Sequence, residues 1–136
     1  MKTKTIPGIN IQWPWSGLLL NKKKTIETRK YPISSKYLGR ELAIIETPGP
    51  LGRMEAGIKK ARIIGTITFE SCYQYNDKNH WASERDKHLV QENNKHFYWT
   101  EKKKTWAWQV KSVTVFTKPL PPPKKRGIIY AKFCKI

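Results

Sequence analysis

The sequence has few cysteines, few acidic residues and no long hydrophobic run. Cys72 and Cys134 are its only cysteines, which excludes a disulfide-rich scaffold and argues against a zinc site of the usual Cys/His spacing. Two free thiols are typical of a reducing compartment, so we predict a cytoplasmic protein. No apolar segment approaches the roughly 20 residues of a membrane helix, and residues 1–13 lack the apolar region of a secretory signal. We therefore expect no membrane association, and we predict no cofactor or metal.

Positive charge dominates the composition and is concentrated at the two ends of the chain. The sequence has 27 Lys and Arg against 10 Asp and Glu, a formal net charge of +17 at pH 7. Residues 1–40 contain nine basic residues and one acidic, residues 101–136 contain ten and one, and residues 41–100 contain eight of each. If the two ends lie side by side, they form one basic face that attracts polyanions such as nucleic acid. A surface that only favours solubility is the alternative interpretation.

The short β-rich segments predict a single domain over residues 9–136, preceded by a flexible basic segment at residues 1–8. Most strands follow one another without a crossover helix. This favours an α+β fold, a small, mixed, mostly antiparallel β-barrel with two or three short helices. Strands are predicted at residues 9–13, 25–29, 41–46, 62–73, 105–117 and 128–133, helices at residues 14–20 and 83–97, and a surface loop at residues 47–60. Within the fourth strand, Gly65 predicts a bulge or a close approach.

The segment from Lys24 to Arg29 carries the pattern that best suits a ligand site. Thr25, Glu27 and Arg29 alternate along a predicted strand and would share one of its faces. Arg29 could hold a phosphate or a base oxygen, and Lys24 could act as a point charge or, if desolvated, as a base. The alternative is an ion-pair network that joins helix to strand, because a buried charge must be paired.

Tryptophans and basic clusters extend this candidate site. Trp106 and Trp108 point the same way on their predicted strand, and with Trp13 and Trp15 they could line a cleft in which a base stacks. Core packing is the alternative, and it is favoured for Trp15 and for at least one of Trp106 and Trp108. Three clusters of basic residues are candidates for a phosphate track, at residues 22–24, 102–104 and 124–126.

Histidines would serve as acid and base if the protein cleaved RNA near neutral pH. The sequence contains three of them, His80, His88 and His96. His88 and His96 are eight residues apart on the predicted helix, too far to share one water or metal. Ordinary surface positions are therefore the favoured interpretation for these residues.

Three motifs occur in order along nearly the whole chain. They are Pro14-Trp15 with Leu18, Leu19 and Leu20 followed by Lys24, Glu27 and Arg29; Ile64-Gly65-Thr66-Ile67 leading to Cys72; and Trp106-Ala107-Trp108 followed by Pro119 and Gly127. With these motifs the chain resembles the ASCH (activating-signal-cointegrator homology) domain, a branch of the PUA-like superfamily of β-barrels. The family usually has glycine two residues before the lysine. Here that position is Lys22, so Asn21 or Lys22 must adopt any positive φ that the glycine would have taken.

The resemblance implies a small PUA-like barrel, a cleft beside Lys24, Glu27 and Arg29, and a role on RNA or nucleotides. Some ASCH proteins have been regarded as ribonucleases. A small branch hydrolyses N4-acylated cytidine nucleosides with a lysine, a threonine three residues later and a distant glutamate. Lys24 matches that lysine, whereas Glu27 stands at the position of the threonine. Glu92 could stand for the distant glutamate.

We therefore predict an RNA-binding ASCH domain with a basic face and a cleft the size of a base or nucleotide. Its expected partner is RNA or another nucleic acid, or a nucleotide-like small molecule. The alternative is a small RNA- or nucleotide-processing hydrolase, either a ribonuclease or an N4-acylcytidine amidohydrolase, for which Lys24, Thr25 and Glu27 are the catalytic candidates. The candidate nucleic-acid-binding residues are Lys22, Lys23, Lys24, Glu27, Arg29, Trp13, Trp106, Trp108, Lys124, Lys125 and Arg126.

Overall fold

The computed structural model describes residues 3–94 and 97–136. Within these residues the chain forms six strands and four short helices. In chain order they are β1 (Thr5–Gln12), α1 (Trp15–Leu20), β2 (Ile26–Arg29), β3 (Leu42–Thr47), α2 (Gly49–Glu55), β4 (Arg62–Gln74), α3 (Lys78–Ser83), α4 (Arg85–His88), β5 (Trp106–Leu120) and β6 (Tyr130–Lys135).

The six strands form one sheet in the order β2-β5-β4-β3-β1-β6. β1 runs parallel to β3, and every other neighbouring pair is antiparallel. The two longest strands, β4 and β5, pair with each other, and both are rich in the β-branched and aromatic residues that favour a pleated, half-buried surface. The α+β class and the mixed, mostly antiparallel sheet are as the sequence predicts.

The predicted closure of this sheet into a barrel is not confirmed. β2 and β6 lie at its two edges, and no pairing joins them in the described part of the chain. The sheet nevertheless curls. Its curvature is evident from a hydrogen bond between strands that are not neighbours in the sheet, from Nη2 of Arg29 in β2 to the backbone oxygen of Asn10 in β1, at 2.9 Å. The two ends of the sheet therefore face each other across a gap, and the candidate site lies in that gap.

Strand β1 begins at Thr5, four residues earlier than the sequence predicts. Residues 5–8, expected to belong to a flexible segment, are strand residues. Thr5 and Ile6 pair with β6, and Gly8 pairs with both β3 and β6. The pairing of β1 with β6 also places the first and last strands side by side, which is the arrangement that a shared basic face would require.

The predicted helix over residues 83–97 is wrong. The chain instead forms two shorter helices, α3 and α4. The side chain of Asp77 caps α3 by accepting a hydrogen bond from the backbone N–H of His80 at 2.8 Å. Leu89 has a φ of 63°, and this left-handed conformation ends α4. Residues 95 and 96, at the end of the predicted helix, lie outside the described residues.

A short helix also lies in the segment predicted to be a loop, residues 47–60. Pro50 follows Gly49 at the start of α2, where a proline costs no hydrogen bond. Gly57 has a φ of 67° just after α2 ends, a conformation that glycine adopts without strain. Like the other helices among residues 3–94 and 97–136, α2 has neither the length nor the apolar character needed to cross a membrane.

The main hydrophobic core lies against the curled sheet. Ile9, Ile44, Phe69 and Trp108 are all fully buried within it. Phe69 and Trp108 meet edge to face, with ring centroids 5.5 Å apart. The indole N–H of Trp108 donates to the backbone oxygen of Tyr31, which follows β2, at 3.1 Å. The core thus fixes the position of the end of β2, where the charged residues of the candidate site lie.

Gly65 confirms the prediction of a bulge and close approach in β4. The pairing of β4 with β5 shifts register between Ile63 and Gly65. A Cβ atom at Gly65 would lie 2.2 Å from the backbone oxygen of Thr114 and 2.9 Å from Cδ2 of Leu20. Because a backbone oxygen within a strand pair cannot rotate away, this position requires a residue without a side chain.

We therefore expect Gly65→Ala to lower the free energy of unfolding by about 3 kcal/mol, the upper end of the range for overpacked sites. Gly17→Ala is the matched control, since a Cβ there would meet no atom within 4 Å. Gly17 lies in α1, where alanine stabilises by about 0.5–1 kcal/mol relative to glycine. Denaturant unfolding of both variants measures the difference, and equal free energies would contradict the close approach.

Candidate functional site

The candidate site is built on β2, a short edge strand that pairs with the first residues of β5. Glu27 lies opposite Trp108, and Arg29 lies opposite Trp106. Strand alternation places Glu27 and Arg29 on the same face. Lys24 lies just before the strand, and it is held in place because its backbone N–H donates to the oxygen of Leu18 in α1, at 2.9 Å.

Glu27 and Arg29 form a two-point ion pair. Both Nε and Nη2 of Arg29 donate to Oε2 of Glu27, at 3.1 and 2.9 Å. The remaining contacts of Arg29 fix its position: Nη1 donates to the hydroxyl of Tyr31 at 2.9 Å, Nη2 donates to the backbone of Asn10, and the guanidinium lies 5.4 Å from the ring centre of Trp108. Such a two-point pair is strong and directional.

Lys24 is a buried cation, with 1% of its side chain exposed. Its Nζ donates to the backbone oxygen of His88, lies 3.6 Å from Oε1 of Glu27 and sits 4.8 Å from the ring centre of Trp15. Burial is the main cause that lowers the pKa of Lys24 from 10.5 to about 8, although Glu27 acts in the opposite direction. A lysine with this pKa loses its proton within the neutral to mildly alkaline range.

The loop before Lys24 follows the path that the sequence left open between Asn21 and Lys22. Lys22 takes the positive φ, 68°, at the position where ASCH domains usually have glycine. The catalytic candidate Thr25 is exposed. Its backbone N–H donates to the oxygen of Lys87, and its backbone oxygen accepts from the N–H of Val110. Thr25 therefore does not share the cavity described next with Lys24 and Glu27.

A cavity of about 570 Å³ opens beside the Lys24–Glu27–Arg29 group. This volume is typical of small-molecule sites. Its lining combines four basic side chains and one carboxylate with polar and aromatic groups. The lining residues are Asn10, Gln12, Trp15, Lys24, Glu27, Thr28, Arg29, Lys30, Tyr31, Thr47, Val90, Phe97, Thr105, Arg126, Gly127 and Ile128.

Core packing, the interpretation favoured for Trp15 and for at least one of Trp106 and Trp108, is confirmed for Trp108. Trp15 packs against two core clusters and also lines the cavity, where it meets Phe97 edge to face at 5.6 Å. Trp108 is fully buried, so it cannot stack on a ligand, and Trp106 packs against the same core. Trp13 does not line the cavity and packs against Gly52 in α2. For Trp106 and Trp108 the outcome depends on which face of β5 lies inward, and alternation alone does not tell which face that is.

The basic clusters divide into cavity and surface residues. Arg126 lines the cavity, whereas Lys124 and Lys125 are exposed on the same loop. Lys22 and Lys23 are exposed outside the cavity lining. Lys30, which the sequence analysis did not single out, lines the cavity and donates from Nζ to the hydroxyl of Thr105 at 2.8 Å. Burial and the nearby charge of Lys103 lower the pKa of Lys30.

The remaining residues missed by the sequence analysis come from distant parts of the chain. Gln12 ends β1, Thr47 ends β3, and Val90 and Phe97 follow α4. They meet only because the sheet curls. One of the missed residues lies close to a predicted cluster. Ile128 is two residues after the basic cluster at residues 124–126, and it lines the cavity although 97% of its surface is exposed.

His80 and His88, the two histidines that the structure describes, do not form an acid–base pair in the cavity. His88 is fully buried, not a surface residue. Its Nδ1 accepts from the backbone N–H of Val90 at 2.9 Å, so Nε2 carries the proton and donates to the oxygen of Trp81 at 2.8 Å. Burial is the main cause that lowers its pKa, which favours this neutral form. His80 does not line the cavity, and His96 lies outside the described residues.

Comparison with solved structures identifies the fold. A crystal structure of ASCH from Zymomonas mobilis matches with a TM-score of 0.63 and 20% identity, over 85% of this chain and 72% of that one. A tyrosine-to-phenylalanine variant of the same protein matches with a TM-score of 0.62 and 20% identity, over 85% of this chain and 74% of that one. A serine-to-alanine variant matches with a TM-score of 0.66 and 17% identity, over 93% of this chain and 86% of that one.

The chain therefore has the fold of an ASCH domain, and the resemblance seen in its sequence motifs is confirmed at the level of the fold. No family model matches the sequence, and no curated protein matches it. In the part of the chain that the structure describes, no group of three or more His, Cys, Asp or Glu residues is placed to hold a metal ion.

We expect Glu27→Gln to lower the free energy of unfolding at pH 7 by about 3 kcal/mol, because it leaves the buried cations of Lys24 and Arg29 without their counter-charge. Glu41→Gln is the matched control. Glu41 pairs with Lys4 at 2.8 Å, but both side chains are well exposed, so its loss should cost less than about 1 kcal/mol. Denaturant unfolding measures both, and similar losses would contradict the structural role of Glu27.

Proposed function

We propose that this protein binds single-stranded RNA and holds one base in the cavity beside Lys24, Glu27 and Arg29. The observation that carries the proposal is the opening of this buried charged group onto a cavity of about 570 Å³. A purely structural ion-pair network gains nothing from such an opening. The ASCH fold supports the same class of ligand, because the resemblance to ASCH domains implies a role on RNA or nucleotides.

The charge of the cavity favours an anionic ligand. Lys24, Arg29, Lys30 and Arg126 line it together with the carboxylate of Glu27, so its formal charge at pH 7 is positive. The overall charge of the chain, +17, acts in the same direction. A phosphate group at the mouth of the cavity would be attracted by this field, and attraction of this kind weakens as salt is added.

The aromatic part of the cavity lining suits a base. Trp15, Tyr31 and Phe97 supply aromatic surface, and stacking on such surface contributes about 1–3 kcal/mol per base. Oε2 of Glu27 accepts both bonds from Arg29, while Oε1 has Lys24 at 3.6 Å, longer than a hydrogen bond. Oε1 can therefore accept a hydrogen bond from an N–H group of a base, while a neighbouring acceptor atom of the same base faces Lys24. Unpaired bases offer donors and acceptors side by side on their exposed edges.

We expect the protein to bind single-stranded RNA with an affinity that falls steeply as salt increases, because phosphate contacts release counterions. Fluorescence anisotropy with a labelled oligonucleotide measures the dissociation constant at several salt concentrations. A flat plot of log affinity against log salt would contradict the proposal.

A matched pair of variants tests the role of the cavity. Thr28→Phe adds an aromatic ring at a residue of the cavity lining and should weaken RNA binding by about tenfold or more, given the stacking energy at stake. Thr114→Phe makes the same change at an exposed position of β5 outside the cavity lining and should bind like the wild type. Equal affinities for the two variants would place the base elsewhere.

The lowered pKa of Lys24 favours a second candidate function, a hydrolase acting on RNA or on N4-acylated cytidine. A lysine with a pKa of about 8 can take up a proton near neutral pH. Thr28 of β2 lines the cavity and Thr25 does not, although strand alternation places the side chain of Thr28 on the face opposite Glu27. However, Lys24 is held by His88 and faces Glu27, which also suits a lysine that only binds.

Incubation with RNA and with N4-acetylcytidine, followed by chromatography, separates the two candidate functions. If neutral Lys24 is the base, the rate rises about tenfold per pH unit below pH 8 and levels off above it, because only the deprotonated form acts. Lys24→Ala then abolishes turnover and leaves RNA binding measurable. Absence of turnover at high enzyme concentration would exclude this second function and leave binding alone.

A further inference from the structure

Two loops from the two halves of the sheet contribute residues to the cavity lining. Residues 97–105, named here the β5 loop, lead into β5, which pairs with the edge strand β2. Residues 121–129, the β6 loop, lead into β6 at the other edge. The β5 loop contributes Phe97 and Thr105 to the cavity lining, and the β6 loop contributes residues 126–128. Because the sheet curls, these loops flank the mouth of the cavity from two sides.

Each loop carries three consecutive exposed cations. In the β5 loop these are residues 102–104, all lysine. Their position beside the cavity follows from two contacts, since Lys30 of the cavity lining donates to Thr105 and lies near enough to Lys103 for the charges to interact. In the β6 loop the cations are residues 124–126, and Arg126 itself lines the cavity.

The β6 loop is held in place by hydrogen bonds from Asn10 in β1. Nδ2 of Asn10 donates to the backbone oxygens of Gly127 and Ile128, at 2.9 and 3.0 Å. The backbone oxygen of the same Asn10 accepts from Arg29. The β6 loop is therefore tied to the charged group at the base of the cavity. It presents the fully exposed side chain of Ile128 beside its cations, an apolar surface suited to a base or sugar.

From this arrangement we infer that the ligand is an internal nucleotide of a single strand, whose backbone crosses the cavity mouth from one loop to the other. An internal nucleotide has phosphates on both sides, and each loop meets the backbone on one side. A free nucleotide or a strand end would engage the cations of one loop. This inference rests on the proposed function, and it adds which kind of RNA position the cavity accepts.

The test compares salt dependence in three triple variants. The first changes Lys102, Lys103 and Lys104 to Gln, the second changes Lys124, Lys125 and Arg126 to Gln, and the control changes Lys59, Lys60 and Lys118 to Gln. All three remove the same charge, and the control residues are exposed and do not line the cavity. The wild type and each variant are titrated with one labelled single-stranded RNA at several salt concentrations, after denaturant unfolding has confirmed that all are folded.

Each loop variant should make the slope of log affinity against log salt less steep by about 2. Each variant removes three cations, and in single strands each neutralised phosphate contributes about 0.7 to this slope. The control should keep the slope of the wild type. An unlabelled mononucleotide should compete far more weakly than a trinucleotide, which offers a phosphate on each side of its middle base.

A change in only one loop variant, or in neither, would overturn the inference, and so would a mononucleotide that competes as well as the trinucleotide. These results differ from a failure of the proposed function. In that case the wild type shows no salt-dependent RNA binding, or Thr28→Phe has no effect on it.

Discussion

The carboxylate of Glu27 is the group on which the candidate site depends. It is nearly buried, and it stands between two largely buried cations whose burial would be costly without a counter-charge. Through Arg29 it connects β2 to the backbone of β1, and through Lys24 it connects β2 to the turn that ends α4. One acidic residue in a strongly basic segment thus holds three parts of the fold together.

The same geometry shows why the two interpretations of this motif do not exclude each other. A compact ion-pair network would use every oxygen and every N–H internally. Here the bonds of Arg29 are all made to one oxygen of Glu27 and to fixed neighbours, while the other oxygen faces Lys24 at 3.6 Å. The network is complete on the side of Arg29 and incomplete on the side of Lys24. Lys24, Glu27 and Arg29 all belong to the wall of the cavity.

Local features of this fold were predictable from the sequence, whereas features that depend on distant contacts were not. Alternation along β2 predicted that Glu27 and Arg29 share a face, and the need for positive φ before Lys24 pointed to Asn21 or Lys22, of which Lys22 adopts it. Gly65 likewise marked its own close approach. These predictions rest on one residue and its immediate neighbours.

The closure of the sheet and the orientation of the tryptophans required knowledge of which strands meet. The six strands predicted a barrel, but closure depends on a pairing between β2 and β6 that local patterns do not encode. Trp106 and Trp108 share the face of β5 that lies against the core, where Trp108 is fully buried, whereas Trp15 of α1 lines the cavity. The helix predicted beyond His88 failed for a different reason, since the left-handed conformation of Leu89 has no glycine or asparagine to signal it.

The hydrogen bond from Arg29 to Asn10 has a consequence for cooperativity. It is a side-chain contact between the edge strand β2 and β1, the strand next to the opposite edge, so it crosses the gap that the open sheet leaves between its two ends. A molecule bound in the cavity would touch residues near both ends and add to this contact. Since such a molecule binds only the folded chain, its affinity becomes part of the stability of the entire sheet. Binding of such a molecule would therefore couple recognition to folding through the gap that the strands leave unpaired.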